Sequence, residues 1–483
     1  MAFRPSSPLV PAAAALLLAS CTTGRSEQTA PRTQQVPPEA PPERPRLIVT
    51  TDIGGDPDDE QALVRLLVHA NLFRIEGLIA SAAGTPGELD RHVVHPASIH
   101  QQIDAYAQVF TQLSQHAPGF PKPAALHSVV KAGNPHRGRA HVGEGHDTEG
   151  SNWIIARVDA AETGPVNVAV WGGPTELAQA LYRVKHDRSA DEVERFVSKL
   201  RVHAIDHQDD SGPYILETFP TLFYVLDVVD AQPRTVGGPN IDRRPSVYRG
   251  MYLGGDEELT SRAWLEENVR TGHGPLGALY PPKTWTAPNP HGALKEGDTP
   301  SWFYFLNQGL SDPEQPAFGG WGGRFVPSAN NPRVFRDAAD SVAGRTEARA
   351  TVYRWRSAFQ NSFAARMDWC VKPVGEANHP PHAVVDGDTS LAILQRRVPP
   401  GESLTLDASA SSDPDAQPLT FRWWTYAEAG TYLGAHSPPP AEGPRVRLRA
   451  PQDGAHTDLH VILEVTDTGS PPLTSYRRVI VQM

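Results

Sequence analysis

The chain carries two kinds of hydrophobic pattern over residues 46–378. Short runs of consecutive apolar and β-branched residues predict buried strands, whereas apolar positions spaced three and four apart predict amphipathic helices. Because the predicted strands and helices alternate, the order favours an α/β fold with a doubly wound, mostly parallel sheet and helices on both faces. The predicted strands are residues 46–51, 74–81, 165–171 and 200–205, and the predicted helices are residues 59–70, 97–113 and 175–183.

The pattern changes near residues 379–381. From there, apolar and polar residues alternate in short segments that turn residues separate, and no helical spacing appears. We therefore expect residues 379–483 to form a smaller all-β, immunoglobulin-like sandwich after an α/β domain that covers residues 46–378. The predicted strands of the sandwich are residues 403–407, 420–426, 446–450, 460–466 and 477–481.

One predicted strand of the sandwich has aromatic residues on both faces. Phe421 and Trp423 share the face that we expect to be core, and Trp424 and Tyr426 share the opposite face. The second face either stacks on sugar rings or packs against the larger domain. Residues 406–415 resemble PKD and related immunoglobulin-like modules, which implies a spacer or carbohydrate-associated role.

The first 45 residues lack the pattern of a folded domain. Residues 1–21 hold an apolar run, residues 9–19, that is too short to span a bilayer and is followed by Cys21. The ending at Cys21 resembles the lipobox of bacterial lipoproteins, which implies a signal peptide, export and a lipid on that cysteine. An ordinary signal peptide with a chance cysteine is the alternative. The proline-rich residues 22–45 predict an extended tether. Thr22, rather than an aspartate, follows the cysteine, which resembles the pattern of Gram-negative lipoproteins that are sorted to the outer membrane.

Length and composition exclude several classes of protein. The chain has 483 residues, of which 39% are hydrophobic and 20% charged, which indicates two or three soluble domains and excludes a multi-span membrane protein. The net charge of −11 argues against a general nucleic-acid binder. Two cysteines, Cys21 and Cys370, exclude a disulfide scaffold and a cysteine-rich zinc site.

An acidic loop follows the first predicted strand. Five carboxylates fall within the nine residues 52–60, and their mutual repulsion requires compensation. A hard cation with oxygen ligands, such as Ca²⁺, provides it. The alternative is a helix cap, in which Asp58 or Asp59 binds the first backbone N–H groups of the next helix.

The other loops at the same edge of the sheet are expected to lie near this acidic loop. In open α/β sheets, ligands bind beyond the carboxyl ends of the strands. Residues 52–59, 81–84, 171–175 and 206–212 each follow a predicted strand. We therefore expect these four segments to converge on one cleft.

The acidic loop resembles the opening motif of nucleoside hydrolases, Asp-x-Asp-x-Gly-x-Asp-Asp. Thr50, Asp52, Gly54, Asp58 and Asp59 occur here in that order, with a threonine at the first position and two extra residues before the acidic pair. With these departures, the chain resembles a divergent branch of the family, the nucleoside hydrolase-like proteins of the DUF1593 group, some of which are described as cellulose-binding. Further similar stretches are residues 75–80, 149–151, 171–179, 208–212, 296–301, 319–324 and 366–370.

The resemblance implies a role for each residue that matches the family motif. Asp52 would bind Ca²⁺ and activate its water, Asp59 would be a second metal ligand, and Asp58 would hold a sugar diol. Thr175 would bind the metal through its backbone carbonyl, and Asp298 would be the distal carboxylate ligand. The alternatives are that Thr175 caps its helix and that Asp298 is a turn residue.

Further candidates surround this set. Asp209 and Asp210 follow a predicted strand and either reach the substrate or form a solvated turn. Trp321, in a glycine-rich loop, either offers a sugar-stacking face or belongs to a structural loop. Many members of the family have a histidine acid before the last aspartate, where this chain has Gly297, and His207 and His273 are the spare candidates.

Three functions remain open at this stage. The first is an exported, Ca²⁺-dependent hydrolase of N-glycosidic or related glycosidic bonds, acting on a small-molecule nucleoside or glycoside. The second is a non-catalytic, cell-surface protein that binds a polysaccharide such as cellulose. The third is a structural surface protein whose metal only stabilises the loop. In each of them the only membrane contact is the lipid anchor, and no nucleic acid is bound.

Overall fold

The structure is a computed structural model that describes residues 44–84, 92–162, 164–228, 246–284, 291–434 and 441–483. The predicted signal peptide, the predicted lipidation site Cys21 and nearly all of the predicted tether, residues 22–45, lie outside the described residues. Within these described ranges, no helix has both the length and the apolar character needed to cross a bilayer.

An eight-stranded sheet forms the centre of the α/β part. Its strand order is β3-β2-β1-β4-β5-β6-β8-β7, and every neighbouring pair is parallel except β7 and β8. Its strands are β1 (Arg46–Thr51), β2 (Arg74–Ala80), β3 (Val130–Ala132), β4 (Val166–Val170), β5 (Leu200–Ala204), β6 (Phe223–Leu226), β7 (Phe325–Ser328) and β8 (Asn331–Asp337).

Helices cover both faces of this sheet. Leu47 and Val49 of β1 enter one apolar core, and Ile48 enters the other, because successive side chains of a strand point to opposite faces. The helices are α1 (Asp58–Val68), α2 (Pro96–His116), α3 (Pro123–Ser128), α4 (Glu149–Asp159), α5 (Thr175–Asp187), α6 (Ala190–Ser198), α7 (Ser211–Thr218), α8 (Arg262–Leu265), α9 (Gly274–Leu279), α10 (Thr299–Phe303), α11 (Ala350–Tyr353) and α12 (Arg356–Asp368). The predicted doubly wound α/β fold is confirmed.

The remaining strands form a small hairpin and two C-terminal sheets. The larger C-terminal sheet has the order β11-β17-β16-β13-β14, and β12 pairs with β15. Val446, Leu448 and Leu463 of these strands share one core with Trp423, as expected for a sandwich. The strands are β9 (Asp340–Val342) and β10 (Arg345–Glu347) of the hairpin, then β11 (Leu394–Arg397), β12 (Ser403–Asp407), β13 (Thr420–Thr425), β14 (Ala441–Glu442), β15 (Arg445–Arg449), β16 (Asp458–Thr466) and β17 (Thr474–Gln482).

The second aromatic face of the C-terminal sheet packs against the α/β part. Trp424 and Tyr476 lie with ring centroids 5.7 and 5.6 Å from Trp355, which immediately precedes α12. The buried Tyr426 hydroxyl donates to Asp340 at 2.5 Å. Of the two alternatives for this face, the structure shows internal packing. The domain boundary at residues 378 and 379 stays a prediction.

Candidate functional site

The acidic loop turns directly from β1 into α1. Gly54 has a φ of +98° and lies against the ring of His95, so only a residue without a Cβ fits this turn. α1 begins at Asp58 after Pro57, and no side chain caps it. The capping alternative for Asp58 and Asp59 is therefore not what the structure shows, although both lie at the positive end of the helix.

Three carboxylates from two distant parts of the chain meet beside this helix end. One carboxylate oxygen each of Asp58, Asp59 and Asp298 lies within 4.8 Å of the others. Asp298 directly precedes α10, and its carboxylate forms no cap there. Asp298 is therefore more than a turn residue, because its side chain points into the acidic cluster.

The carboxylates raise one another's pKa because they are buried and carry like charge. Burial, and then the charges of Asp52 and Asp298, raise the pKa of Asp59 well above its usual value. Burial, and then the charges of Asp58 and Asp52, do the same for Asp298. Burial raises the pKa of Asp58 to about 7 in spite of a neighbouring lysine. These mutual effects place Asp52 within the same cluster.

Two cations of the chain offset part of this charge. Lys295 Nζ lies 2.5 Å from Asp56 and 3.0 Å from Asp58. Arg137 Nη2 donates to Asp52 Oδ2 at 3.1 Å. Since the cluster holds Asp59 and Asp298 as well, five carboxylates face two cations, and three negative charges remain when all are ionised.

The cluster fits a divalent cation. Asp298 Oδ2 is buried and accepts no hydrogen bond from any residue that the structure describes, so it keeps a lone pair for a ligand. The carboxylates of the cluster offer oxygen atoms as metal ligands, and hard cations such as Ca²⁺ and Mg²⁺ prefer oxygen ligands. Asp59 is partly engaged, because the hydroxyl of Thr51 donates to it.

The loop after β4 lies against two of the predicted site carboxylates. A Cβ on Gly172 would lie 2.6 Å from Asp52 Cγ, and one on Gly173 would lie 1.9 Å from Asp209 Oδ2. Thr175 Oγ1 donates to the same oxygen of Asp209 at 2.9 Å. Two successive glycines are therefore required for these carboxylates to approach the end of β4.

Thr175 and Asp210 both hold the loop that carries Arg137. The backbone N–H of Gly138 donates to Thr175 Oγ1 at 2.7 Å, and that of Arg139 donates to Asp210 Oδ1 at 2.6 Å. Asp210 is exposed, unlike the buried carboxylates. The predicted metal contact of the Thr175 carbonyl and the predicted substrate contacts of Asp209 and Asp210 stay predictions.

Trp321 does not offer a sugar platform, and that prediction is corrected. Its side chain is 5% exposed and its ring centroid lies 5.3 Å from that of Phe303. Its indole N–H points at the Tyr476 hydroxyl of the C-terminal sheet at 3.5 Å. The glycine-rich loop turns this large apolar ring inward, because burial of its surface is favourable.

The two spare histidines have structural partners. His273 lies 3.2 Å from Asp368 at the end of α12. The ring of His207 fills the space beside Gly212 and lies 5.9 Å from the ring of Tyr224. Neither contact aims a histidine at the carboxylates of the cluster.

Sequence reasoning missed three side chains of the site. Lys295 lies three positions before Asp298, and Arg137 lies in a loop that carried no motif. Tyr248 lies beside Gly297, since a Cβ on that glycine would be 3.3 Å from the tyrosine ring. Only Lys295 had a signal in the sequence that could have revealed it, namely its short spacing from Asp298.

The chain matches two protein-family models. Residues 46–325 match the family model of cellulose-binding Sde182, nucleoside hydrolase-like domain. Residues 403–483 match that of cellulose-binding protein Sde0182, C-terminal domain. No curated protein sequence matches the chain.

Solved structures include a similar protein from Saccharophagus degradans. It is described as a nucleoside hydrolase-related hypothetical protein that is associated with carbohydrate metabolism. The match has 35% sequence identity and a TM-score of 0.74, and it covers 91% of this chain and 100% of the other. The crystal structure of the effector protein XOO4466 matches at 12% identity and a TM-score of 0.36, over 69% of this chain and 95% of that one.

Proposed function

The chain belongs to the family of cellulose-binding Sde182 proteins with a nucleoside hydrolase-like domain, and we propose that it is a Ca²⁺-dependent hydrolase of N-glycosidic or related glycosidic bonds. The observation that carries this proposal is the cluster of Asp58, Asp59 and Asp298, whose oxygens lie within 4.8 Å of one another. A stability role alone does not require an unpartnered, buried carboxylate oxygen such as that of Asp298.

Each residue of the cluster has a role in this proposal. Asp59, Asp298 and Asp52 would hold the cation, with the Thr175 carbonyl as a further ligand. When bound, the cation supplies charge that polarises the attacking water and orients the sugar. Asp52 takes the proton of that water as general base. Asp58 accepts hydrogen bonds from the sugar diol.

Lys295 fixes the carboxylate that would bind the diol. Its ammonium group bridges Asp56 and Asp58 at 2.5 and 3.0 Å and is largely buried. A carboxylate held in this way is preorganised to accept hydrogen bonds from sugar hydroxyls. Asp56 belongs to the residues that this acidic loop has in addition to the nucleoside hydrolase motif.

Turnover assays test the proposal. The purified chain is incubated with a panel of nucleosides and glycosides in Ca²⁺ and in chelator. We expect hydrolysis that requires the metal and falls by at least about a thousandfold in Asp52→Asn, since the general base is lost. Asp191→Asn on the exposed face of α6 is the matched control. Absence of turnover across the panel overturns the proposal.

A polysaccharide-binding function is the second candidate, and one contact favours it. Arg137 donates to the Asp52 carboxylate at 3.1 Å and competes for the lone pair that would take a proton from water. A binding cleft needs no general base. Retention of the chain on insoluble cellulose, equal in wild type and Asp52→Asn and without release of sugar, supports binding over hydrolysis.

We also propose export and a lipid anchor at Cys21, which rest on the sequence of residues 1–21. The charge pattern, the short apolar run and the cysteine support this assignment. Metabolic labelling with a fatty-acid analogue tests it. Label on the wild type that disappears in Cys21→Ala, together with loss of membrane association, is the expected result, and unlabelled wild type contradicts it.

A further inference from the structure

Gly297 stands where many nucleoside hydrolases have a histidine, and the space in front of it is already occupied. A Cβ on Gly297 would lie 3.2 Å from Asp58 Oδ2 and 3.3 Å from Tyr248 Cδ2. The direction in which a side chain at this position would point is therefore filled by the Tyr248 ring, next to the carboxylate that would bind the diol.

Tyr248 is held rigidly in this position. It lies in the 3₁₀ segment Val247–Met251, which packs against α10 and α11. The backbone N–H of Val247 donates to Asp337 at 3.0 Å and fixes the start of this segment. Tyr248 itself is nine-tenths buried, with the guanidinium of Arg249 5.0 Å from its ring centroid.

The Tyr248 hydroxyl is available to a ligand. None of the hydrogen bonds among the described parts of the chain uses it, whereas the neighbouring Tyr252 hydroxyl accepts from Arg249 at 2.8 Å. Burial raises the pKa of Tyr248 above its usual value, so the hydroxyl stays protonated and donates over the whole neutral range.

We propose that Tyr248 is the residue that contacts the leaving group, and that the site is specific for glycosides whose leaving group departs without taking a proton, with a departing oxyanion stabilised by a hydrogen bond from this hydroxyl. This inference rests on the proposed hydrolase function. It assigns the substrate class: aryl glycosides of acidic phenols and N-glycosyl pyridinium compounds, as opposed to purine nucleosides and alkyl glycosides.

The step balances without an acid. The bond from the anomeric carbon to the leaving atom breaks, and its electron pair stays with the leaving group. A pyridinium departs as a neutral pyridine, and an aryloxy group departs as a phenolate that accepts the Tyr248 hydrogen bond. The water oxygen bonds to the anomeric carbon, and the water proton passes to Asp52.

A leaving-group series tests the inference. For the sugar that the substrate panel identifies, kcat/KM is measured with phenyl glycosides of graded phenol pKa, with the glycosyl pyridinium and with the purine nucleoside. We expect kcat/KM to fall several-fold for each unit of leaving-group pKa, with no descending limb between pH 7 and 9 that an ionisable acid would cause.

The Tyr248→Phe variant separates contact from packing. It keeps the ring and removes the hydroxyl, so we expect kcat/KM to fall about tenfold for phenolate leaving groups and to stay almost unchanged for the pyridinium. Tyr106→Phe is the matched control, because Tyr106 is a core residue of α2 whose hydroxyl, among the described residues, bonds only the Pro121 carbonyl, at 2.8 Å.

The outcomes distinguish this inference from the proposed function. Turnover with purine nucleosides as good as with activated glycosides, or equal losses for all leaving groups in Tyr248→Phe, overturns the inference and leaves the hydrolase proposal standing. Absence of turnover for every substrate, the glycosyl pyridinium included, overturns both.

Discussion

Arg65 and Glu296 form a fully buried ion pair with two contacts, Nε to Oε2 at 2.5 Å and Nη2 to Oε1 at 2.9 Å, across 231 positions of sequence. The Tyr280 hydroxyl donates to the same carboxylate at 2.6 Å. Glu296 has a φ of +45° and begins the turn that carries Asp298. α1 therefore holds acidic residues at its first turn and, through Arg65, also fixes the distal carboxylate.

Removal of one partner of this pair should destabilise the protein strongly. Arg65→Met leaves Glu296 buried without its cation, and we expect a loss of about 3–5 kcal/mol in the free energy of unfolding. Urea unfolding measures it. Arg188→Met, which breaks an exposed pair with Asp159, should cost less than about 1 kcal/mol.

The double variant Arg65→Met with Glu296→Gln tests whether the loss comes from the unpaired charge. It removes both charges, so we expect it to be more stable than Arg65→Met alone. A loss equal to the sum of the two single variants would contradict a direct interaction.

The stability of the metal-free protein should depend on pH through Asp58. Its pKa is raised by burial to about 7, whereas the unfolded chain has the ordinary value near 4. The native state therefore holds the extra proton between these values. The stabilising effect of the protonated form is complete below about pH 4 and is lost as the pH rises to about 7, at up to about 1.4 kcal/mol per unit.

The comparison with Asp58→Asn isolates this effect from the other carboxyl groups. In chelator, the stability of Asp58→Asn relative to the wild type should increase from pH 4 to pH 7 and then level off. Urea unfolding at each pH measures the difference. A difference that stays constant over this range would show that Asp58 has an ordinary pKa.

Ca²⁺ should stabilise the wild type through Asp298. A ligand at a hundredfold excess over its Kd adds about 2.7 kcal/mol to the free energy of unfolding. We expect Asp298→Asn to lose most of this gain, because the buried Oδ2 that accepts no bond from the described residues is the oxygen available to the ion. Thermal unfolding in Ca²⁺ and in chelator measures it, with Asp191→Asn as control; an equal gain in all three proteins would place the ion elsewhere.

The glycines after β4 should tolerate no side chain. Gly172→Ala places a methyl group 2.6 Å from Asp52 Cγ, so Asp52 must move and we expect turnover to fall by about a hundredfold. Gly375→Ala meets nothing within 4 Å and should leave kinetics unchanged. Full activity of Gly172→Ala would show that the position of Asp52 is not critical.

The elements that surround the site were predictable because local patterns determine them. The predicted strand at residues 46–51 agrees with β1 at both ends, and the predicted helix at residues 175–183 begins at the first residue of α5. The rule that ligands collect at the carboxyl ends of parallel strands placed Asp52 and Asp209 at one edge. Periodicity did not reveal β6 (Phe223–Leu226), which is only four residues long.

The ionic partners were not predictable, because they depend on distant contacts. No local sequence signal pairs Arg137 with Asp52 or Arg65 with Glu296. The hydrophobic pattern places Arg137 in a loop and Arg65 on a helix, and it does not indicate the partner of either. Trp321 shows the same limit. Its glycine-rich surroundings are compatible with a sugar platform or an inward turn, and only the tertiary packing decides between them.

The contact of Tyr426 with Asp340 determines how a fragment without the C-terminal sheets would behave. Cutting the chain before the C-terminal sheets would leave Trp355 facing water and would take the hydroxyl donor from a carboxylate that also binds Arg324 and Arg354. Such a fragment would expose an apolar aromatic surface and would tend to self-associate. The C-terminal strands thus cover an aromatic surface of the α/β part, and the two parts should unfold in a single thermal transition.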